Sequence, residues 1–132
     1  MIESFTVNTK TRIEMIDITS SVNKIVSSSG IKSGLCVVYV PHTTAAVTIN
    51  ENADRCVQHD MLNDLKRLIP LSGRYEHLEG NSDAHMKASL LGQSETIIVE
   101  KERLVLGTWQ GIFFCEFDGG RTRKVCIKIM QD

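Results

Sequence analysis

At 132 residues the chain has room for one hydrophobic core and not for two. Fifteen Lys and Arg stand against 16 Asp and Glu, a near-neutral balance that excludes a chain-wide cationic footprint for nucleic acid. No apolar run reaches the length of a membrane span, and MIESFTVNTKTR lacks the basic and apolar segments of a secretory signal, so no membrane partner is expected.

Residues 2–8 (IESFTVN) and 12–18 (RIEMIDI) alternate apolar and polar side chains, the period of half-buried strands. Asn8-Thr9-Lys10-Thr11 between them reads as a hairpin turn. Thr19 is placed to cap a short helix whose Val22, Ile25 and Val26 share one face, and Gly30 offers a left-handed stop. GLCVVYV, residues 34–40, is apolar and β-branched enough to be a central strand, which Pro41 ends. Strand character resumes at 45–50 (AAVTIN). From Asn52 the period lengthens: Val57, Met61, Leu65 and Leu68 make the stripe of an amphipathic helix. Glu51 and Asp54 lie at its N-terminal end, where the dipole favours negative charge, and Pro70 closes it.

Residues 70–82 are polar and glycine-bearing, a loop by composition. A second helix is predicted from Asp83 to Leu91, capped by Ser82 or Asp83 and ended by Gly92. Strands at 95–100, 110–117 and 122–130 complete the chain, with Asp118-Gly119-Gly120-Arg121 as the turn signal between the last two. The order predicts α+β: a single domain over 1–132, with mostly antiparallel mixed β-sheets and two main helices. Cys36, Cys56, Cys115 and Cys126 are widely spaced and form no CxxC pair. Three of them lie in apolar strand-like runs, so reduced, structural thiols and a cytoplasmic location are expected.

Three polar groupings exceed what the hydrophobic pattern requires. His42 opens HTTAAVTINENAD, where Thr43 and Thr44 offer hydroxyls and amides to an anionic oxygen and Glu51 and Asp54 follow. The competing reading is a histidine satisfied by the backbone and acids that merely cap a helix. His85 lies in NSDAHMK, where exposed helix amides, an imidazole and the Lys87 ammonium would recognise a phosphate. Two histidines and a carboxylate (His42, His85 and Asp54) equally suit zinc, or manganese with more oxygen ligands. The third grouping is Trp109-Gln110, followed by Glu116, Asp118, Arg121 and Arg123. The two arginines, two apart on a strand, would clamp a phosphate, against the alternative of a solvated strand end. His59 reads as a surface residue and His77 as a solvated loop residue.

HTTAAVTINENAD, GNSDAHMKASLLG and GTWQGIFFCEFDGGRTRKV, in this order, closely resemble the YjbQ family, whose members are commonly labelled secondary thiamine-phosphate synthases. The resemblance spans essentially the whole chain. It implies an α+β homotrimer with polar sites near subunit boundaries. The family's shared histidine falls on His42, its acidic helix start on Glu51 and Asp54, its AH pair on Ala84-His85, its Gln on Gln110, and the acid before its arginine turn on Asp118. Many members have DGPR where this chain has Asp118-Gly119-Gly120-Arg121, and loss of the proline loosens that turn.

The implied transferase joins an aminopyrimidine methyl diphosphate to a thiazole phosphate and releases pyrophosphate. In that reading a divalent ion (zinc, magnesium or manganese) sits on His42, Asp54 and His85. Thr43, Thr44, Lys87, Arg121 and Arg123 receive phosphates, Trp109 stacks on the pyrimidine, and His42, Glu51, His85 and Gln110 serve the chemistry. The alternative is a metal- or phosphometabolite-binding homotrimer with another substrate.

Overall fold

The elements of the computed structural model, which describes residues 2–132, run β1 (Glu3–Asn8), β2 (Glu14–Asp17), α1 (Thr19–Ser28), β3 (Ser33–Tyr39), β4 (Ala45–Glu51) and α2 (Arg55–Leu68). α3 (Ser82–Leu91), β5 (Ser94–Glu100), β6 (Arg103–Leu104), β7 (Gln110–Glu116) and β8 (Thr122–Gln131) follow. The expected α+β class holds. Among the described residues there are three helices, the short α1 expected at Thr19 having ten residues, the same length as α3. Every strand pair is antiparallel. One sheet has the order β1-β8-β3-β5-β6 and the other β2-β7-β4.

The main core lies between the two sheets. Val38, Val125 and Ile127 from one meet Val47, Ile112 and Phe114 from the other, with Val22 and Val26 of α1 closing one side. A second core lies on the opposite face of the three-stranded sheet, where Phe113, Cys115 and Phe117 pack under Ala84 and Ala88 of α3 and Leu65 of α2. β7 is therefore covered on both faces, which is why GIFFCE carries no alternation. β3 is central in its sheet, as expected, yet its burial alternates. Leu35 and Tyr39 stay exposed on an uncovered outer face, with Ile98 and Met130 facing the same way beside Leu35.

Both expected hairpins are instead crossings from one sheet to the other. β1 pairs with β8 and β2 with β7, so residues 9–13 leave one sheet for the other. Residues 117–121 make the return journey from β7 to β8. The turn-forming residues do bend the chain; what they do not specify is the strand that it bends toward. The two crossings lie side by side. Gly119 N–H donates to the Arg12 carbonyl, and a Cβ on Gly119 would sit 2.3 Å from the Thr11 oxygen. Only glycine allows that approach.

Local caps differ in detail from the sequence reading. Asp17, rather than Thr19, serves the start of α1 by accepting from Thr19 N–H, while the Thr19 hydroxyl accepts from Ile112 N–H. Asn81, rather than Ser82 or Asp83, heads α3, and its side chain makes no cap bond. Asp54 caps α2 by accepting from Cys56 N–H at 2.9 Å. Gly30 has the positive φ expected of a helix stop. The β5–β6 hairpin, absent from the sequence reading, turns on Lys101 and Glu102, both with positive φ and neither a usual turn signal. No disulfide forms among the described residues, and burial raises the Cys36 and Cys115 thiols to about 11 and about 12. No helix among the described residues is long and apolar enough to cross a membrane.

Candidate functional site

The residues singled out from the sequence separate into four places. At the first, the corner between β3 and β4, His42 Nε2 accepts the Lys124 N–H at 2.9 Å. Burial and the charge of Arg123 push the His42 pKa down against the opposing pull of Glu116, and only a neutral ring can accept that bond. Behind it Arg123 is buried, its guanidinium forked onto the wholly buried Glu116 and also donating to Thr44 Oγ1 at 2.8 Å. Glu116 further accepts from the Thr9 hydroxyl and from Phe117 and Asp118 N–H. Burial alone would raise its pKa, but these bonds and the Arg123 charge hold it below the ordinary value. His42, Thr44, Glu116 and Arg123 thus each serve another group of the fold.

Arg121 is separated from that pair. It lies exposed on the return crossing, bound to the Asp118 carboxylate and carbonyl. The expected two-arginine clamp is therefore absent: one arginine is inside with Glu116 and the other outside with Asp118. Thr43 is exposed and Thr44 is occupied by Arg123, so the two do not form a joint anion site.

The second place is the far end of the three-stranded sheet. Glu51 lies opposite Gln110, and Asn52 N–H donates to the Trp109 carbonyl. Gln110 Oε1 accepts from Gly107 N–H at 2.8 Å and so closes its own turn. Trp109 is 62% exposed and serves no core. Among the described residues of one chain, no three His, Cys, Asp or Glu side chains gather in a position to hold a metal. With His42 Nε2 occupied and Asp54 spent on a cap, the set His42, Asp54 and His85 does not fit a metal centre within one chain.

α3 holds the other two places, one on each side. His85 and Lys87 are two positions apart, roughly 200° around the helix axis, so the expected imidazole–ammonium pair is divided. On one side the loop before α3 folds back and sets His77 edge-on to His85, with ring centroids 5.4 Å apart and planes at 89°. Arg74, Tyr75, Ser82 and Met86 line the same open crevice, of about 520 Å³. His77 was not legible as a partner, because neither its spacing nor its neighbours encode the fold-back.

On the other side Lys87 is 1% exposed and donates to Asp83 at 2.8 Å. Arg12 forks onto the same carboxylate at 3.0 and 3.2 Å. Burial would raise Asp83, but the bonds from Arg12 and Lys87 and their charges bring it below its ordinary value; Arg12 in turn is raised by Asp83. Beside them Asn81 Nδ2 donates to Asp118, while its buried Oδ1 meets no donor. Asp83 was read only as a candidate helix cap and Arg12 carried no motif; only the path of the first crossing brings Arg12 to α3.

With that geometry in view, a family model described as UPF0047 protein YjbQ-like matches residues 3–132. The chain belongs to the YjbQ/UPF0047 family. A UPF0047 protein of Methanocaldococcus jannaschii is 52% identical over 132 residues, covering 100% of this chain and 96% of the relative. UPF0047 protein YugU of Bacillus subtilis is 51% identical, covering 98% of this chain and 99% of its own length. Among solved structures, an uncharacterised conserved protein of the family from Clostridium acetobutylicum superposes with a TM-score of 0.95 at 52% identity, over 97% of this chain and 99% of that one. A YbjQ-like protein of unknown function from Sulfolobus solfataricus gives 0.96 at 36% identity, over 100% and 97%.

Proposed function

We propose that this YjbQ-family chain binds a small phosphorylated metabolite in the crevice beside α3 and that His85 serves as its hydrogen-bond or proton donor. The observation that carries the reading is the His77–His85 pair, set beside Arg74 and the start of α3. Helix amides and a guanidinium attract phosphate oxygens, and an imidazole suits proton transfer near neutrality. The thiamine-phosphate-forming condensation is the transferase chemistry we assign to it. There the thiazole nitrogen would bond to the aminopyrimidine methylene as its C–O bond to diphosphate breaks, the imidazole would meet the oxygen of the departing pyrophosphate, and Tyr75 and Met86 would offer a surface to the organic body. Purified protein given both substrates should form thiamine phosphate, and His85→Ala should reduce turnover at least 100-fold, the scale of one proton-transfer group. Turnover unchanged in that variant sinks the assignment.

The second reading, a phosphometabolite-binding protein with another reaction, is favoured if no thiamine product forms but phosphate stabilises the fold in an Arg74-dependent way. For either reading we infer a homotrimer joined through the bare outer face of the five-stranded sheet. Leu35, Ile98 and Met130 adjoin there in register and all three are exposed, as interfaces require and free surfaces seldom allow. Ile98→Glu should shift sedimentation to the monomer. A trimer untouched by that change places the contact elsewhere.

A further inference from the structure

The cavity on the Lys87 side of α3 stands apart from the His85 crevice. It measures about 470 Å³ and is lined by Thr11, Arg12, Ile13, Lys66, Leu71 and Lys87. That size is within the range of small-ligand sites, roughly 300–1,000 Å³. Arg12, Lys66 and Lys87 line it, with the Asp83 carboxylate bound to Arg12 and Lys87 and Asp118, which also acts on Arg12, paired with Arg121. A buried ammonium needs acceptors for its N–H groups. Lys87 is 99% enclosed by the fold yet meets only one acceptor, Asp83, among the described residues. Two of its three donors are thus left without a protein acceptor beside an open cavity. Arg12 is partly exposed, with its fork spent on Asp83 but its positive charge uncancelled, since Asp83 is shared with Lys87.

With Asp118 balanced by Arg121, Arg12, Lys66 and Lys87 less Asp83 leave a surplus of two positive charges. A phosphate monoester, with a charge near −2 at neutral pH, matches it. Inorganic phosphate alone would leave most of the volume empty and the side chains of Ile13 and Leu71 uncovered. Leu71 is 54% exposed at the rim. An apolar body attached to the phosphate would fill that space and cover both.

We infer that the Arg12–Lys66–Lys87 cavity is a second ligand site, which takes a small organic monophosphate with its phosphate on Lys87 and Lys66 and its apolar body against Ile13 and Leu71. The inference does not rest on the reading of the His85 crevice. Phenyl phosphate is the probe, titrated into the full chain by calorimetry, with amide chemical shifts followed in parallel. Shifts should appear at Thr11, Arg12, Ile13 and Leu71 and persist in His85→Ala. Inorganic phosphate should bind about tenfold more weakly, having no apolar contact.

Lys66→Glu, at an exposed position that leaves folding intact, should weaken phenyl phosphate about fivefold or more. Lys87→Met should abolish binding, and its thermal melt checks that it folds. The site is overturned if phenyl phosphate does not bind at millimolar concentration, if the shifts cluster only at residues 74–86, or if Lys66→Glu binds as tightly as the parent chain. Shifts at residues 74–86 that vanish in His85→Ala would instead locate the ligand in the crevice of the proposed function.

Discussion

Two buried cation–carboxylate groups lie about the same pair of chain crossings, and they are built to different standards. Glu116 receives five donors: the Thr9 hydroxyl, two nitrogens of Arg123 and two backbone N–H groups. A carboxylate offers about four lone-pair positions, so nothing is left over. Asp83 receives three donors, two from Arg12 and one from Lys87, and the ammonium keeps N–H groups to spare beside a cavity. A saturated cluster specifies the fold, because any further partner would have to displace an existing one. An unsaturated cluster that borders open space is prepared for something that the chain does not itself supply. Judged by hydrogen-bond completeness rather than by residue type, Arg123 belongs to the fold and Lys87 to the proposed second ligand site.

The sharpest way to break this contrast is to remove the cation from each cluster. Arg123→Met strands a buried carboxylate and should cost about 3–5 kcal/mol in urea unfolding. Lys87→Met should cost only about 1–2 kcal/mol, because Arg12 still compensates Asp83. Equal losses in the two variants would erase the distinction. Acid titration sharpens it further. The folded-state pKa values of Glu116 and Asp83 are both depressed. Their contribution is therefore complete above the ordinary carboxylate range near 4 and is lost as pH falls through the folded values. Arg123→Met should flatten this acid limb more than Lys87→Met does.

The smallest effect belongs to His42, whose depressed pKa lets the unfolded chain take up a proton first as pH drops below about 6.5. A gentle decline in stability over that window should disappear in His42→Gln. Persistence of the decline would place its source in another histidine.

Much of the fold was legible in the sequence because periodicity reports burial directly. The β3 run, the α1 face of Val22 and Val26, and the Gly30 stop are all local patterns, and all are present. Pairing was not legible. Asn8–Thr11 and Asp118–Arg121 signal a bend without naming its destination, and both turned out to lead from sheet to sheet. The site suffered from the same gap. His42, Asp54, Arg121 and Arg123 were conspicuous by type, yet each is engaged by a backbone N–H or a neighbouring side chain. His77 and Arg12 were inconspicuous and Asp83 read as no more than a helix cap, because what gives them a role is the return of distant segments onto α3.

The position of β8 also bears on when this molecule can become itself during synthesis. β8 is the last strand of the sheet in sequence but lies between β1 and β3 in space, and it also delivers Arg123 to Glu116. A ribosome that has released residues 1–110 has made β1 and the β3-β5-β6 run, with a gap between β1 and β3 the width of one strand. The main sheet must wait for residues 122–131, with β1 held apart from β3 until then. Such late, long-range closure slows folding and leaves strand edges bare in the interval.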